Sequence, residues 1–326
     1  MKIAVLGGGT GLSTLLRGLK KLPFEISAIV SVCDDGSSTG RLREEFNAPA
    51  VGDIRKVLIS LAENEDSVRQ LLDYRFNTYS DLNGHPLGNL LLIGASEIEG
   101  NISDGISLIG SILKLKGEVI PLTEDNVVLV GKMLDGSTVV GEHNITESFK
   151  GIKKVYYKKH PKVNLDVLKA IRHADAIVLS MGSLFTSIIP NLLCEEVRKE
   201  IDKSSAKIIY VCNIMTQPGE TDNFKVSDHI KLLNSYLGKR KVDAVVVNTG
   251  KVDEKIVENY ATAEQKDLVI YDKDNLKKYN VDTIENDYIT LDGGSIRHNT
   301  LRVSLDMLSY LLDKRCYLVS DRKSVV

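Results

Sequence analysis

The sequence predicts a doubly wound α/β fold: a mostly parallel, Rossmann-like sheet in a three-layer α/β/α sandwich, with an insertion of helices and short strands. Two observations predict it. The strand-like runs are continuously apolar rather than alternating, which is typical of strands covered on both faces. Segments with helical spacing separate those runs, and a strand–helix–strand succession favours a parallel sheet.

Each predicted element follows from its local pattern. Strands are predicted where β-branched and apolar residues run together, at Ile3–Leu6, Ile26–Val32, Ala176–Leu179, Ile208–Val211 and Ala244–Val247, with a further strand near Leu268–Tyr271. Helices are predicted where apolar residues recur at helical spacing, at Leu12–Lys20, Ile54–Glu63, Ser187–Glu200, Ser227–Leu237 and Thr300–Leu312.

Two stretches interrupt this alternation. Residues 67–115 have the pattern of consecutive helices separated by Gly84 and Gly100. Residues 119–157 have the pattern of short strands, with a turn signal at residues 134–137. We therefore expect a single nucleotide-binding domain over residues 1–312, an insertion at about 65–160, and a C-terminal tail at 313–326.

Composition excludes several classes of function. The 326 residues carry 42 Lys and Arg against 44 Asp and Glu, so there is no basic footprint for nucleic acid. No apolar run approaches the roughly 20 residues of a membrane-spanning helix, so no membrane insertion is expected. The four cysteines have no metal-ligand spacing and suit reduced thiols, which favours a cytoplasmic location.

A glycine cluster directly after the first predicted strand is the strongest functional signal. Glycines allow a phosphate to approach the backbone, and the following helix start offers N–H groups and the positive end of its dipole. We interpret this turn as phosphate-binding, the alternative being a tight turn without a ligand. The candidate residues are Gly8, Gly9, Thr10, Gly11, Leu12 and Ser13.

Acidic and small residues follow the second predicted strand. Asp34 and Asp35 precede a segment in which Ser37, Ser38 and Arg41 could bind another phosphate while the acids hold Mg²⁺. Asp53 opens the next helix on the same sheet edge and is a third metal candidate, although a helix cap is the simpler role.

The cofactor patterns narrow the ligand class. A P-loop is excluded because no Gly-Lys-Ser/Thr follows the glycines, and the dinucleotide pattern is incomplete because its third glycine position is Thr14. An NAD-dependent oxidoreductase is therefore the weakest alternative, and no NAD is expected.

Two later strand ends carry further candidates. Because ligands of open parallel sheets bind outside the carboxyl ends of the strands, we expect these loops to converge on the glycine turn. The alternative for each is an ordinary loop. The first loop contributes Gly182, Ser183, Leu184 and Thr186, and the second contributes Asn213, Thr216 and Gly219.

Taken together, these motifs resemble the bacterial gluconeogenesis factor family, a branch of the superfamily that includes 2-phospho-L-lactate transferase. The matching segments cover residues 1 to about 312. The chain differs from many members at Ser180-Met181-Gly182-Ser183, where they read Gly-Pro-Gly-Ser. The segments that carry the resemblance are Gly7–Gly11, Asp34–Arg43, Gly52–Arg55, Gly88–Leu91, Gly182–Leu192 and Asn213–Asp222.

The resemblance implies a Rossmann-like fold and a nucleotide ligand. The gluconeogenesis factor branch implies a cytoplasmic UDP-sugar-binding protein needed for cell shape and cell-wall synthesis during gluconeogenic growth, acting as a non-catalytic regulator. An arginine implicated in that binding matches Arg297. We also expect a homo-oligomer, in the form of a dimer, and a protein partner in cell-wall synthesis.

The transferase branch implies an alternative function. There a phosphorus-containing group moves from a nucleoside diphosphate-linked donor, with Mg²⁺ held by aspartates that match Asp34 or Asp35 and Asp53. Whether the chain is an enzyme stays open at this point, and no catalytic residue is assigned.

Overall fold

A computed structural model describes the backbone of residues 1–252, 262, 265–292 and 295–323. Side chains are described over the same ranges except 292 and 314–323. The strands in chain order are β1 (Lys2–Gly7), β2 (Glu25–Val30), β3 (Glu118–Pro121), β4 (Leu129–Met133), β5 (Thr138–Val140), β6 (Ile152–Tyr157), β7 (Ala176–Leu179), β8 (Lys207–Val211), β9 (Ala244–Asn248), β10 (Asp282–Asn286), β11 (Ile289–Asp292) and β12 (Ser295–His298).

The α-helices are as follows in chain order: α1 (Gly9–Leu19), α2 (Ser37–Phe46), α3 (Val51–Leu61), α4 (Glu65–Leu72), α5 (Leu87–Glu99), α6 (Ile102–Leu113), α7 (Glu142–Glu147), α8 (Leu165–His173), α9 (Ile189–Leu192), α10 (Glu195–Lys203), α11 (Val226–Tyr236), α12 (Lys273–Leu276) and α13 (Thr300–Lys323). A π-helical turn at Leu184–Ile188 precedes α9, and a 3₁₀ turn at Lys277–Tyr279 follows α12. Within the described ranges, no helix is both long and apolar enough to span a membrane.

The central sheet confirms the predicted fold class. Its seven strands lie in the order β10-β9-β8-β7-β1-β2-β3, and every neighbouring pair is parallel. The chain adds strands on one side of β1 up to β3 and then on the other side from β7 to β10. The direction therefore reverses between β1 and β7, and ligands of doubly wound sheets bind at such a switch point.

Burial explains why the innermost strands were recognisable. Ala4, Val5 and Leu6 on β1 and Ile177 and Val178 on β7 are completely buried. A strand covered by helices on both faces needs apolar residues at every position, which produces the continuous runs in the sequence.

The strand predicted near Leu268–Tyr271 is wrong. Leu268 and Ile270 form only isolated bridges, to Met215 and Lys225. The edge strand of the sheet is β10, which pairs only with β9. An edge strand has a single neighbour and tolerates polar residues, so its sequence lacks a continuous apolar run.

The helix predicted at Ser187–Glu200 is interrupted in the structure. The π-helical turn, α9 and α10 occupy this stretch, and Cys194 between α9 and α10 has an extended backbone. The turn begins earlier than predicted, because Ile188 donates its N–H to the carbonyl of Ser183, 3.1 Å away.

The insertion also differs from the expectation at its boundaries. β3 lies in the region predicted as a small separate sheet, yet it pairs with β2 in the central sheet. The separate three-stranded antiparallel sheet has the order β5-β4-β6. The last helix, α13, continues past Leu312, and residues 324–326 of the predicted tail lie outside the described residues. The proposed domain limits stay a prediction.

Candidate functional site

The glycine turn lies at the carboxyl end of β1, beside the switch point. Helix α1 begins at Gly9, its N-cap is Gly8, and no side chain caps its first turn. The first backbone N–H groups of a helix have no partner within the helix, so they are open to an anion here. Leu12 is buried, and the hydroxyl of Ser13 donates to the Thr10 carbonyl at 3.0 Å, so these two residues offer backbone rather than side-chain contacts.

Asp53 contacts this turn directly. It lies in the first turn of α3, and a Cβ on Gly9 would overlap its carboxylate oxygen Oδ1. The N-cap of α3 is Ala50, so the simpler capping role considered for Asp53 is wrong. Lys56, one turn further along α3, places its Nζ 3.1 Å from Asp53 Oδ1.

Asp34 follows the end of β2 and lies next to the start of α3. Its Oδ1 accepts the N–H of Gly36 at 3.0 Å, and its Oδ2 lies 3.0 Å from where a Cβ on Gly52 would be. Burial raises the pKa of Asp34, and the negative charge of Asp53 raises it further. Asp34 and Asp53 thus repel each other at the start of α3.

Asp35 makes backbone contacts that the sequence did not predict, and its role as a metal ligand stays a prediction. Its two carboxylate oxygens accept the backbone N–H groups of Glu142 and His143, at 3.2 and 2.8 Å. These groups begin helix α7 of the insertion, whose unpaired N–H groups Asp35 satisfies. The carboxylate therefore attaches the insertion to the end of β2.

Glu142, which the sequence analysis missed, enters the site through this attachment. It accepts a hydrogen bond from Thr186, and burial raises its pKa to about 7, helped by the charges of Asp34, Asp53 and Asp35. No local motif marks Glu142, because it lies more than eighty residues after the acids it faces.

We expect Glu142→Gln to change how stability depends on pH. Because the folded-state pKa of Glu142 is raised, its stabilising contribution is present near pH 4.5 and is lost as the pH rises to about 7. The variant should therefore gain up to about 3 kcal/mol relative to the parent chain over that interval. Urea unfolding at pH 5 and pH 8 in EDTA measures the difference. Glu147→Gln, an exposed position on the same helix, is the control, and an equal response of both variants contradicts the assignment.

The segment after Asp35 is a helix rather than the predicted phosphate loop. Ser38 is buried at the start of α2, where its hydroxyl contacts His85 Nδ1 at 2.8 Å and accepts from Asn89 at 3.2 Å. Arg41 donates to the Asn83 carbonyl at 3.1 Å. Ser37 and Arg41 are exposed, and among these three candidates only the Ser37 side chain makes no hydrogen bond. The segment thus joins the insertion to the sheet, because the Ser38 hydroxyl and the Arg41 guanidinium bind insertion residues.

The second small-residue turn is already occupied by a carboxyl group of the chain. The hydroxyl of Ser183 donates to the carboxylate of Glu220, with both oxygens within 2.8 Å, and accepts the N–H of Thr186 at 3.0 Å. The backbone N–H groups of Leu184 and Phe185 also donate to Glu220. Burial raises the pKa of Glu220 against these hydrogen bonds. The amides predicted to bind phosphate at this turn are therefore occupied by a carboxylate of the chain itself.

The loop after β8 supports that second turn. The side-chain amide of Asn213 accepts the N–H of Gly182 at 2.9 Å and donates to the Gly182 carbonyl at 2.7 Å. Thr216 is buried and exchanges hydrogen bonds with Asp267. Gly219 has a φ of +74° and packs against the backbone of Phe149 in the insertion. These three candidates hold loop segments against one another.

Arg297 lies on the hairpin of β11 and β12 and is exposed. Its neighbour His298 bonds through Nε2 with the Cys212 carbonyl at 3.0 Å, which fixes the hairpin at the carboxyl end of β8. Successive side chains of a strand point to opposite faces, so the Arg297 guanidinium faces away from that contact.

Two cavities exclude the residues of the glycine turn, whereas a third, of about 240 Å³, includes Thr10 and Ser13. A cavity of about 1070 Å³ opens between α6 and α8 over β2 and β3, and none of the predicted site residues lines it. A smaller one of about 280 Å³ lies at the ends of β8 and β9 and includes Asn213.

Within the described residues, no group of three or more His, Cys, Asp or Glu side chains is arranged to hold a metal ion. Asp34 and Asp53 would therefore offer a cation two protein carboxylates, a number usual for Mg²⁺ when a phosphate supplies further ligands.

Comparison with known proteins agrees with this architecture. A crystal structure of a Bacillus halodurans protein superposes with a TM-score of 0.90 at 42% identity, covering 94% of this chain and 99% of that one. The protein called gluconeogenesis factor in Halalkalibacterium halodurans is 43% identical over 303 residues, covering 93% of this chain and 94% of the relative. Its namesake in Bacillus subtilis is 42% identical over 304 residues, covering 93% and 96%.

The family assignment rests on a match to most of the chain. Residues 3–289 match the family described as 2-phospho-L-lactate transferase CofD. This match includes the glycine turn, Asp34, Asp53, Glu142 and Glu220, and it confirms the resemblance seen in the motifs. The chain therefore belongs to the CofD family, within which its similar relatives carry the name gluconeogenesis factor.

Proposed function

We propose that this chain binds a UDP-sugar, with the diphosphate on the Gly8–Ser13 turn and Mg²⁺ between Asp34 and Asp53. In this proposal the chain is a cytoplasmic, homo-oligomeric, non-catalytic regulator of cell shape and cell-wall synthesis that acts through a protein partner. The observation that carries the proposal is the contact of Asp53 with Gly9, which brings a carboxylate to an uncapped helix start.

The charges around the turn explain why a metal is included. A diphosphate next to Asp53 and Asp34 meets two carboxylates, so anion binding is unfavourable unless a cation lies between them. Lys56 neutralises part of this charge at Asp53. The hydroxyl of Ser180 is buried against Gly7 without a hydrogen-bond partner, and it provides a further polar group at the same strand ends. Arg297 is proposed as a charge clamp on the exposed side of the ligand.

Calorimetric titration with UDP-N-acetylglucosamine, GDP and NADH, each with and without Mg²⁺, tests the proposal. We expect binding of the UDP-sugar that depends on Mg²⁺ and weakens at least about tenfold in Asp53→Asn, because a charge-assisted contact contributes about 1.5–3 kcal/mol. Asp166→Asn is a matched control, since Asp166 also lies in a first helical turn and pairs with a lysine three residues on. Equal affinity in Asp53→Asn, with or without Mg²⁺, contradicts the metal role.

A second candidate function is transfer of a phosphorus-containing group from a nucleoside diphosphate-linked donor. Glu142 favours it, because a carboxyl group with a pKa near 7 is suited to accept a proton from an attacking hydroxyl at neutral pH. Asp34 and Asp53 would hold Mg²⁺, which supplies charge neutralisation on the leaving nucleotide. Phosphorus NMR of the donor incubated with the protein separates the two functions. A ligand recovered intact supports the regulator, and release of the nucleotide that ceases in Glu142→Gln supports the transferase.

A further inference from the structure

We propose a second anion site, next to the glycine turn on the outer face of α1, that binds the phosphate group of a small phosphate monoester. It lies in a cleft of about 240 Å³ between the outer face of α1 and helices α3 and α4, named here the α1–α3–α4 cleft. The proposal does not depend on the proposed UDP-sugar. The polar residues that carry it are Thr14, Arg17, Arg55, Lys56 and Arg69; Thr10 and Ser13 of the glycine turn and Asp73 also line the cleft.

An excess of positive charge at one carboxylate is the first observation. Glu65 at the start of α4 pairs with Arg17 and Arg69 and, at 2.9 Å, with Lys20. Burial alone would raise the pKa of Glu65, but the hydrogen bonds from Arg17 and Lys20 outweigh it and lower the pKa, so Glu65 is ionised at neutral pH. Three cations therefore surround a single negative charge. Two of these cations, Arg17 and Arg69, line the cleft.

The rest of the cleft does not compensate this excess. Arg55 pairs one to one with Asp73 at 3.0 Å, and Lys56 pairs one to one with Asp53 at 3.1 Å. The whole chain has a net charge of −2, so the local surplus does not follow from an overall positive charge. Positive charges with reduced access to water are stabilised by a counter-ion, and Lys20 and Arg17 have side chains that are only 12% and 34% exposed.

The geometry of the guanidinium donors and the volume of the cleft define the class of ligand. Each guanidinium has five N–H donors, and Arg17 and Arg69 each use one of them to bind Glu65. Forked donors of this kind match phosphate oxygens. The cleft is smaller than the roughly 300–1,000 Å³ of pockets that enclose drug-sized ligands, so it suits a phosphate on a few carbon atoms rather than a nucleotide-sugar.

Titration of the full chain with inorganic phosphate and with glycerol 3-phosphate tests the site, using calorimetry and amide chemical shifts of α1. We expect millimolar or tighter binding that weakens about tenfold in Arg17→Gln and in Arg69→Gln and falls with added salt. Arg172→Gln is the control, because Arg172 also pairs with a glutamate but lies on α8, outside the cleft. Preference for glycerol 3-phosphate over phosphate indicates a monoester ligand, and equal affinities indicate free phosphate.

Two further variants keep the test decisive. Glu65→Gln removes the shared negative charge and should strengthen phosphate binding, an opposite sign that general destabilisation does not produce. Arg17→Lys retains the charge and should retain most of the binding, with circular dichroism checking that each variant is folded. No binding at about 10 mM ligand overturns the proposal. A second result also overturns it: phosphate is displaced by UDP-N-acetylglucosamine, and its affinity is unchanged in Arg17→Gln. The phosphate would then lie on the glycine turn.

Discussion

Gly11→Ala is expected to lower the free energy of unfolding by about 3 kcal/mol or more. A Cβ at Gly11 would overlap the carbonyl oxygen of Met181, and the next nearest atoms are also backbone, of Met181 and Gly182. The neighbouring strands β1 and β7 are paired in parallel, so neither turn can move without breaking the register of the sheet. Urea unfolding measures the change.

Gly94→Ala is the matched control for this prediction. Gly94 lies within the exposed face of α5, and a Cβ there meets no atom within 4 Å. Alanine should be neutral or stabilise by about 0.5–1 kcal/mol, because glycine is the poorer helix former. If the two substitutions have similarly small effects, the close approach of the two turns is not a requirement of the fold.

Glu220→Ala is expected to cost about 3 kcal/mol, the second large effect. It leaves the Ser183 hydroxyl and the N–H groups of Leu184 and Phe185 without their buried acceptor, and each orphaned group costs about 1–3 kcal/mol. Glu220→Gln keeps one acceptor oxygen and should cost less. Added formate or acetate should partly restore the stability of Glu220→Ala, because either anion can occupy the vacated turn.

The pH dependence of this effect has a defined sign. Burial raises the folded-state pKa of Glu220, so its contribution to stability is full below the ordinary carboxyl pKa and declines as the pH rises through the raised value. Glu220→Gln should remove that decline. Unchanged stability of Glu220→Ala together with tighter UDP-sugar binding contradicts the structural role and indicates that Glu220 merely blocks a second phosphate turn.

Local patterns were sufficient for the centre of the molecule. The paired strands β1 and β7 are covered on both faces, so their apolar runs were visible without any partner. The glycine cluster marked a turn where backbone and ligand approach closely, and Asp34 and Asp53 could be placed on one sheet edge because parallel strands end together. Polar or edge elements such as β10 and α2 lack such a signal and were missed.

The candidate site divides in the same way. The sequence by itself determined that a glycine turn, acids and small-residue loops lie at the carboxyl ends of one parallel sheet. Only the tertiary structure decided which of them are free: Asp35 binds helix α7, Ser38 binds His85, and Glu220 fills the second turn. Each of these partners lies 37 or more residues away in the chain, and a hydrogen bond over such a distance depends on packing that no local pattern encodes.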